Sequence, residues 1–269
     1  MSVLASSLPL PSVRADPRSR WIAAPAAALG SRERARALLE EGRAALDPNA
    51  PHPAEEALWF ARAARALSGC FGWGLLWELR LIGDLEAWAV RVVRGEHRDL
   101  ALGDDGLPRS ASSSPCVHLA ALWCELLVTL AEAGARVRRG AWRIESERAA
   151  EGFADAFWCP EERVLRAVPG GRDLAGIQGL VVAAVDPPLL HRMDLETVVE
   201  AARGPALAGR SGAWAQALLV EAELRLRDLS LTSLRGLDGL LRRRGSWNGD
   251  GADPMTPLLA SLAPGARAV

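Results

Sequence analysis

The stretch VHLAALWCELLVTLA, residues Val117–Ala131, carries the main signal for the fold. Drawn as a helix it is apolar nearly all round, which is typical of a helix buried on every side. The next helical stretch, Arg143–Trp158, contains ESER and further acidic residues, so one of its faces is expected in solvent. The two stretches together predict a helical hairpin with one inner and one surface helix.

The same alternation of buried and surface helices recurs along the chain. Five pairs precede a final unpaired apolar segment, Pro257–Leu262. The pairs are Trp21–Leu29 with Ser31–Leu46, Ala57–Leu67 with Leu75–Arg94, Val117–Ala131 with Arg143–Trp158, Leu174–Val185 with Asp194–Arg203, and Ala213–Glu221 with Leu234–Arg244. Since β-branched residues and period-two alternation are scarce, the sequence predicts an all-α protein with little β structure.

Two concentric helical layers are the arrangement that this alternation favours. It predicts an (α/α)6 six-hairpin barrel, complete or lacking part of its last hairpin. An α-solenoid would give a similar alternation, but its repeats would have constant length, and these pairs are irregularly spaced. We expect residues 1–20 to form an N-terminal extension, 21–263 a single barrel domain, and 264–269 a tail.

Composition and charge exclude several classes of partner and site. The net charge is -1 and every basic side chain other than histidine is arginine, so no basic field predicts binding to nucleic acid or an anionic membrane. No apolar run is long enough to span a bilayer, and no signal peptide is recognisable. The four cysteines form no C-x-x-C pair, which favours free thiols in the cytoplasm.

Metal and cofactor motifs are also lacking in the sequence. The four histidines, His52, His97, His118 and His191, show no i, i+4 pairing, so we expect no metal site. Neither a phosphate-binding glycine loop nor a dinucleotide fingerprint is recognisable, and we expect no cofactor. The oligomeric state is left open by the sequence.

One short stretch departs from the helical pattern. FADAFWCPEERVLRAV, residues Phe153–Val168, predicts a helix end with two aromatic residues, a break at Pro160, and then a short strand-like run, VLRAV. A helix terminus alone does not need these features. They predict a small hairpin that carries a loop towards a pocket.

Several motifs, in this order, carry a family resemblance. EEALWFARAARAL (Glu55–Leu67) resembles D-A-x-L-W-F, VHLAALW (Val117–Trp123) resembles V-E-x-N-A-L-W, and Gln178 matches the last residue of R-P-N-Q. Further matches are Trp21–Pro25, D-D-G-L at Asp104–Leu107, F-x-x-x-F-W at Phe153–Trp158, VDPPLL at Val185–Leu190, and SGAWAQ at Ser211–Gln216. Together they resemble the C-terminal amylo-α-1,6-glucosidase domain of glycogen debranching enzymes. The resemblance covers Trp21 to Leu262 and implies a six-hairpin barrel that acts on α-glucans.

The chain departs from this family where catalysis is expected. The family's R-D-T is Arg18-Ser19-Arg20 here, and the Glu and Asn of V-E-x-N are His118 and Ala120. The family's T-W-M-D segment carries the expected catalytic acid. Only nine residues, Pro108–Cys116, separate Leu107 from Val117 at that place, and none is acidic. In the region of the second family carboxylate, Asp250 is the nearest acid. The departures predict a shortened, degenerate member.

Candidate site residues follow from the resemblance and from the chemistry. Glycoside hydrolysis needs two carboxyl groups, about 5 Å apart for retention and about 6.5–9.5 Å for inversion. Asp105 and Asp250 are the candidate catalytic pair, and their alternative role is that of turn formers beside glycine. The candidate glucan-binding residues, which could instead be core or surface residues, are Arg18, Trp59, Trp123, Trp158, Gln178 and Trp214.

Three functions are compatible with the sequence. The first is a glycogen-debranching-type glucosidase homologue that has lost most or all hydrolytic activity and retains binding to an α-glucan or oligosaccharide. The second is an active glycoside hydrolase that uses relocated carboxylates. The third is a helical protein-interaction scaffold, because a fold alone does not determine a function.

Overall fold

Helices dominate the structure, a computed structural model that describes residues 21, 22, 24, 28, 31–47, 54–110, 116–208 and 213–226. The α-helices are α1 (Arg32–Gly42), α2 (Ala54–Phe71), α3 (Trp73–Glu78), α4 (Leu81–Val93), α5 (Val117–Ala133), α6 (Arg139–Phe157), α7 (Gly179–Ala184), α8 (Arg192–Leu207) and α9 (Ala213–Leu226). Short 3-10 turns span Arg43–Leu46 and Gly176–Gln178. Two antiparallel hairpins pair β1 (Leu100–Leu102) with β2 (Pro108–Ser110), and β3 (Trp158–Cys159) with β4 (Val164–Leu165). The all-α prediction is confirmed.

The helices form an inner and an outer layer. Helices α2, α5, α7 and α9 pack side by side, α2 on α5, α5 on α7 and α7 on α9, and most of their side chains are buried. On the outside, α6 packs against α5, and α8 packs against both α7 and α9. The predicted alternation of inner and surface helices therefore holds for these segments. Leu234–Arg244 and Pro257–Leu262, which a closed six-hairpin barrel would need, lie outside the described residues.

Spacing and capping explain why the outer helix α1 forms. The hydroxyl of Ser31 accepts a hydrogen bond from the Arg34 backbone N–H, which caps the helix. Its buried residues, Ala35, Leu38, Leu39 and Gly42, recur at the helical spacing of three or four. A Cβ atom at Gly42 would lie 2.4 Å from the ring of Phe60, so glycine allows α1 to approach α2 closely.

Two predicted helices are interrupted. The single helix predicted for Leu75–Arg94 is instead α3 followed by α4, because Arg80 adopts a left-handed conformation with φ 57°. Most residues there are good helix formers, so no sequence signal marks the break. The helix predicted for Leu174–Val185 consists of a 3-10 turn and the short α7. Gly176, with φ 51°, favours this tighter start.

The β1–β2 hairpin was not predicted, because β1 is only three residues long and the turn and β2 lie in a polar stretch that is typical of a loop. The turn between the strands contains Asp104, Asp105 and Gly106, and Gly106 has φ 74°. The Asp105 side chain accepts a hydrogen bond from the Leu107 backbone N–H at 3.1 Å. Local turn chemistry therefore closes a hairpin with few β-branched residues.

The predicted hairpin after α6 is confirmed, and it helps to position the start of α5. Trp158 pairs with Leu165 and Cys159 with Val164. The chain then continues to Ala167, whose carbonyl accepts a hydrogen bond from the Val117 backbone N–H at 3.1 Å. This contact holds the first turn of α5, and with it Cys116, against the hairpin.

A buried ion pair joins the inner helices. Arg62, on α2, lies 3.0 Å from a carboxylate oxygen of Glu125 on α5 and 2.7 Å from Glu221 on α9. It also donates a hydrogen bond to the carbonyl of Ala184 at the end of α7. The guanidinium group of Arg62, on α2, thus contacts the three other inner helices. Among the described helices, none is both long and apolar enough to cross a bilayer.

Candidate functional site

A polar cluster forms where α2, α5 and the turn before α7 meet. It contains Glu55 in the first turn of α2, Cys116 directly before α5, His118 in the first turn of α5, and Gln178 at the end of the 3-10 turn. The Cys116 Sγ lies 3.0 Å from His118 Nδ1 and 3.4 Å from Gln178 Oε1. On the other side of the imidazole, His118 Nε2 lies 3.5 Å from Glu55 Oε1. We name these four residues the thiol cluster.

The packing of the helices holds the thiol cluster in place. Helix α2 contacts α5, and α5 contacts α7. The contacts of Glu55 with His118 and of Cys116 with Gln178 show that the starts of these helices lie close together. The indole N–H of Trp59 donates a hydrogen bond at 3.2 Å to Glu55 Oε1, one helical turn away. This bond orients the Glu55 carboxylate towards His118.

His118 is the buried centre of the thiol cluster. It is 7% exposed, whereas Cys116 and Gln178 are partly exposed. Its Nε2 is buried, and the nearby carboxylate of Glu55 is the charge that faces it. A buried imidazole between a thiol and a carboxylate is stabilised in its protonated form by both neighbours.

The protonation of Cys116 and His118 is linked. Burial alone would lower the pKa of His118, but its hydrogen bonds and charge interactions with Cys116 and Glu55 raise that pKa to about 9. Burial alone would raise the pKa of Cys116, but the hydrogen bond and charge of His118 outweigh it and lower that pKa. Both shifts favour a thiolate beside an imidazolium.

The location of Cys116 at the end of a helix acts in the same direction. Cys116 is the N-cap residue of α5, with extended backbone angles, φ -112° and ψ 131°. The positive end of the helix dipole therefore lies close to the thiol. Thiolates are stabilised at such ends and beside a protonated histidine, and the thiolate is the nucleophilic form of cysteine.

The thiol cluster was not predicted from the sequence. Its histidine has no i, i+4 partner on a helix, because Cys116 and His118 are two residues apart across a helix start. The sequence signal for this pair is the C-V-H tripeptide, which follows a proline at the start of an apolar helix. This signal is weak by itself. Glu55 and Gln178 join through tertiary packing, which the sequence does not reveal.

Of the two predicted catalytic acids, Asp105 is the one that lies within the described residues. Asp105 accepts the Leu107 backbone N–H and lies 3.0 Å from the guanidinium of Arg109, so it acts as a turn residue. Asp250 lies outside the described residues, and so does Arg18, the predicted rim residue. Of the predicted polar residues, Gln178 is the one found in the thiol cluster.

The four predicted tryptophans divide into two groups. Trp59 and Trp123 are 1% and 0% exposed, and the Trp123 indole donates a hydrogen bond to the carbonyl of Gly106. These two pack in the core, which is the alternative role considered for them. Trp158 and Trp214 are partly exposed and lie against the core. They retain surface that a sugar ring could contact.

The rest of the described surface offers weaker candidates. Shallow depressions lie around Arg163 and Met193, at the start of α8, and are open to solvent. Within the described ranges, no three His, Cys, Asp or Glu side chains are grouped so that they could hold a metal ion. The thiol cluster is therefore the strongest candidate site in this part of the chain.

No family model, curated protein sequence or solved structure matched the chain when each was compared with it. The function of the site is therefore inferred from its geometry.

Proposed function

We propose that the chain is a shortened, degenerate homologue of the glycogen-debranching-type glucosidases that binds an α-glucan with little or no hydrolysis. One observation carries the proposal. Glu55, His118 and Gln178 come from three separate motif matches, and they meet in the thiol cluster.

These three residues lie close together in the structure although they are far apart in the sequence. Glu55 and His118 are separated by 63 residues, and His118 and Gln178 by 60. If the motif matches had arisen by chance, their residues would not be expected to lie at one place in the fold. A shared active-site architecture would bring such motifs together, and it would do so at the inner ends of neighbouring helices.

Hydrolysis is disfavoured by the groups that are present. Two carboxyl groups must flank the bond, one protonated and one ionised. Asp105 is engaged by Leu107 and Arg109, and His118 occupies the position that matches the family's glutamate. Glu55 lies beside an imidazole that favours its ionised form.

Glucan binding needs less than hydrolysis does. Sugar hydroxyls require donors and acceptors in a partly open site, and apolar sugar faces stack on aromatic rings. Gln178 is partly exposed and offers both an amide donor and an acceptor, and Trp158 and Trp214 retain exposed ring surface. These three residues are the proposed contacts.

Calorimetry with the full chain tests the proposal. Maltooligosaccharides and isomaltose are titrated into the protein, and the same samples are assayed for released glucose. We expect binding without glucose release, and weaker binding by Gln178→Ala. Arg143→Ala, which changes an exposed side chain on α6, is the control and should bind like the original chain.

Each other outcome points to a different function. If the chain releases glucose and Asp105→Asn or Asp250→Asn abolishes this release, the chain is an active hydrolase with relocated carboxylates. This outcome would overturn the proposal. Absence of both binding and release would overturn it in favour of an interaction scaffold. Neither outcome depends on whether Cys116 is reactive.

A further inference from the structure

We propose that Cys116 is a nucleophilic thiolate, paired with His118, and that it is a site of S-oxidation by peroxide. The inference stands apart from glucan binding. It rests on the 3.0 Å contact between Cys116 Sγ and His118 Nδ1, and on the carboxylate of Glu55 behind the imidazole.

The geometry is that of an activated thiol. A base within hydrogen-bond distance takes the thiol proton, and a third group orients the base. Here His118 is the base and Glu55 is the orienting carboxylate, itself held by the Trp59 indole N–H. Because His118 is only 7% exposed, its imidazolium is shielded from water and held in one position, while the thiol of Cys116 stays partly exposed.

The charged and polar groups around His118 come from three elements. Glu55 faces it from α2, Cys116 precedes it on α5, and the uncharged Gln178 faces the thiol from the turn before α7. In the neutral form, the Cys116 thiol donates a hydrogen bond to Gln178 Oε1. After a half-turn of the carboxamide, its N–H group would donate to the thiolate.

The other cysteines lack such partners and serve as comparisons within the same molecule. Cys124 is fully buried, and burial raises its pKa to about 12. Partial burial also raises the pKa of Cys70, although part of this residue is exposed near the end of α2. Cys159 is partly exposed, and its Sγ contacts the carboxylate of Glu161 at 3.5 Å. Cys116 is therefore expected to react first.

In the oxidation step, hydrogen peroxide is the oxidant, Cys116 is the nucleophile and His118 supplies the proton. The Cys116 thiolate attacks one oxygen of hydrogen peroxide, forming an S–O bond while the O–O bond breaks. The departing hydroxide takes the Nδ1 proton of His118 and leaves as water. Sulfur is oxidised to a sulfenic acid, peroxide is reduced to water, and His118 becomes neutral.

Alkylation rates test the thiolate. The folded chain is treated with iodoacetamide at about pH 7, and the labelling of each cysteine-containing peptide is followed by mass spectrometry. We expect Cys116 to react several-fold faster than Cys70 and Cys159, because its lowered pKa gives it a larger thiolate fraction at this pH. His118→Gln should remove this advantage and leave the rates of Cys70 and Cys159 unchanged.

Trapping of the sulfenic acid tests the oxidation. The folded chain is treated with hydrogen peroxide and dimedone, and we expect the adduct on Cys116. Cys116→Ser should show no adduct at this position. Equal alkylation rates for Cys116 and Cys70, an unchanged rate in His118→Gln, or the absence of a dimedone adduct on Cys116 would each overturn the proposal. If His118→Gln fails to fold, Glu55→Gln provides the same comparison and should also slow the labelling of Cys116.

Discussion

His118 lies between two groups that favour its charged form. The thiol of Cys116 faces Nδ1 and the carboxylate of Glu55 faces Nε2, so a proton on the imidazole is stabilised from both sides. Burial opposes this effect, since it penalises charge, but the two partners outweigh it. The chemistry of the thiol cluster therefore depends on a residue that is itself shielded from solvent.

A titration measures this balance directly. His118 should stay protonated up to a pKa of about 9, above its ordinary value of 6.5. His97, whose pKa burial lowers, should titrate below 6.5 in the same sample. The measurement is an NMR titration of the imidazole signals, with His118→Gln used for assignment.

Variants of the two partners complete this test. Cys116→Ser and Glu55→Gln should each shift the pKa of His118 back towards 6.5, since each removes a negative neighbour. His191→Gln, which changes an exposed histidine, is the matched control. A His118 that titrates at or below 6.5 in the original chain would contradict the ion pair.

Single residues show why the site was only partly predictable. Gln178 was identified from a motif position and does lie in the thiol cluster. Asp105 was identified from its place in the D-D-G-L motif and from its carboxyl group, but the backbone N–H of Leu107 and the charge of Arg109 already occupy its carboxylate. Both partners lie within the β1–β2 hairpin, two and four residues along the chain, and they reach Asp105 because the chain turns there, which a residue type alone does not reveal.

At the scale of elements, the β1–β2 turn is fixed to two helices. The indole of Trp123 on α5 donates to the Gly106 carbonyl, and Arg148 on α6 donates to the Asp104 carbonyl at 2.7 Å. Gly152 on α6 leaves space for the same turn, since a Cβ there would lie 2.4 Å from the Asp105 carbonyl oxygen. The turn is therefore a packed part of the fold.

Two glycines on α6 provide a matched test of this contact. Gly152→Ala should lower the free energy of unfolding by about 1–3 kcal/mol, because the added methyl group meets backbone that cannot move freely. Gly140→Ala meets nothing within 4 Å and should raise the free energy of unfolding by about 0.5–1 kcal/mol through helix propensity. Urea denaturation measures both. Equal effects of the two substitutions would mean that the turn does not pack closely on α6.

Elements were predictable where hydrophobic patterning is strong. The apolar run that begins at Val117 predicted α5 to within two residues at its end, because burial on all sides leaves a continuous apolar sequence. The break at Arg80 and the β1–β2 hairpin were missed. Both depend on local backbone conformations, φ 57° at Arg80 and φ 74° at Gly106, that hydrophobic periodicity does not encode.

At the scale of the whole molecule, charge is concentrated where the inner helices meet. Arg62 contacts Glu125 and Glu221, and Glu125 also accepts a hydrogen bond from the Asp186 backbone N–H at 3.1 Å. Burial raises the pKa of Glu125 in spite of these partners. An ion pair in this environment is costly to break, since one charge would stay buried without compensation.

Replacing Arg62 tests whether this ion pair holds the inner layer together. Arg62→Met should lower the free energy of unfolding by about 3–5 kcal/mol, because it leaves Glu125 buried without its cation. Arg143→Ala removes an exposed pair with Glu147 and should cost about 0–1 kcal/mol. Both are measured by urea denaturation followed by circular dichroism.

A double variant separates lost charge from lost packing. Arg62→Met combined with Glu125→Leu leaves neither member of the buried pair, so it should recover part of the stability lost in Arg62→Met alone. The double variant also gives a folded comparison if Arg62→Met does not fold. A double variant as unstable as the single one would show that Arg62 acts through its contacts with the Ala184 carbonyl and Glu221, and not by neutralising Glu125.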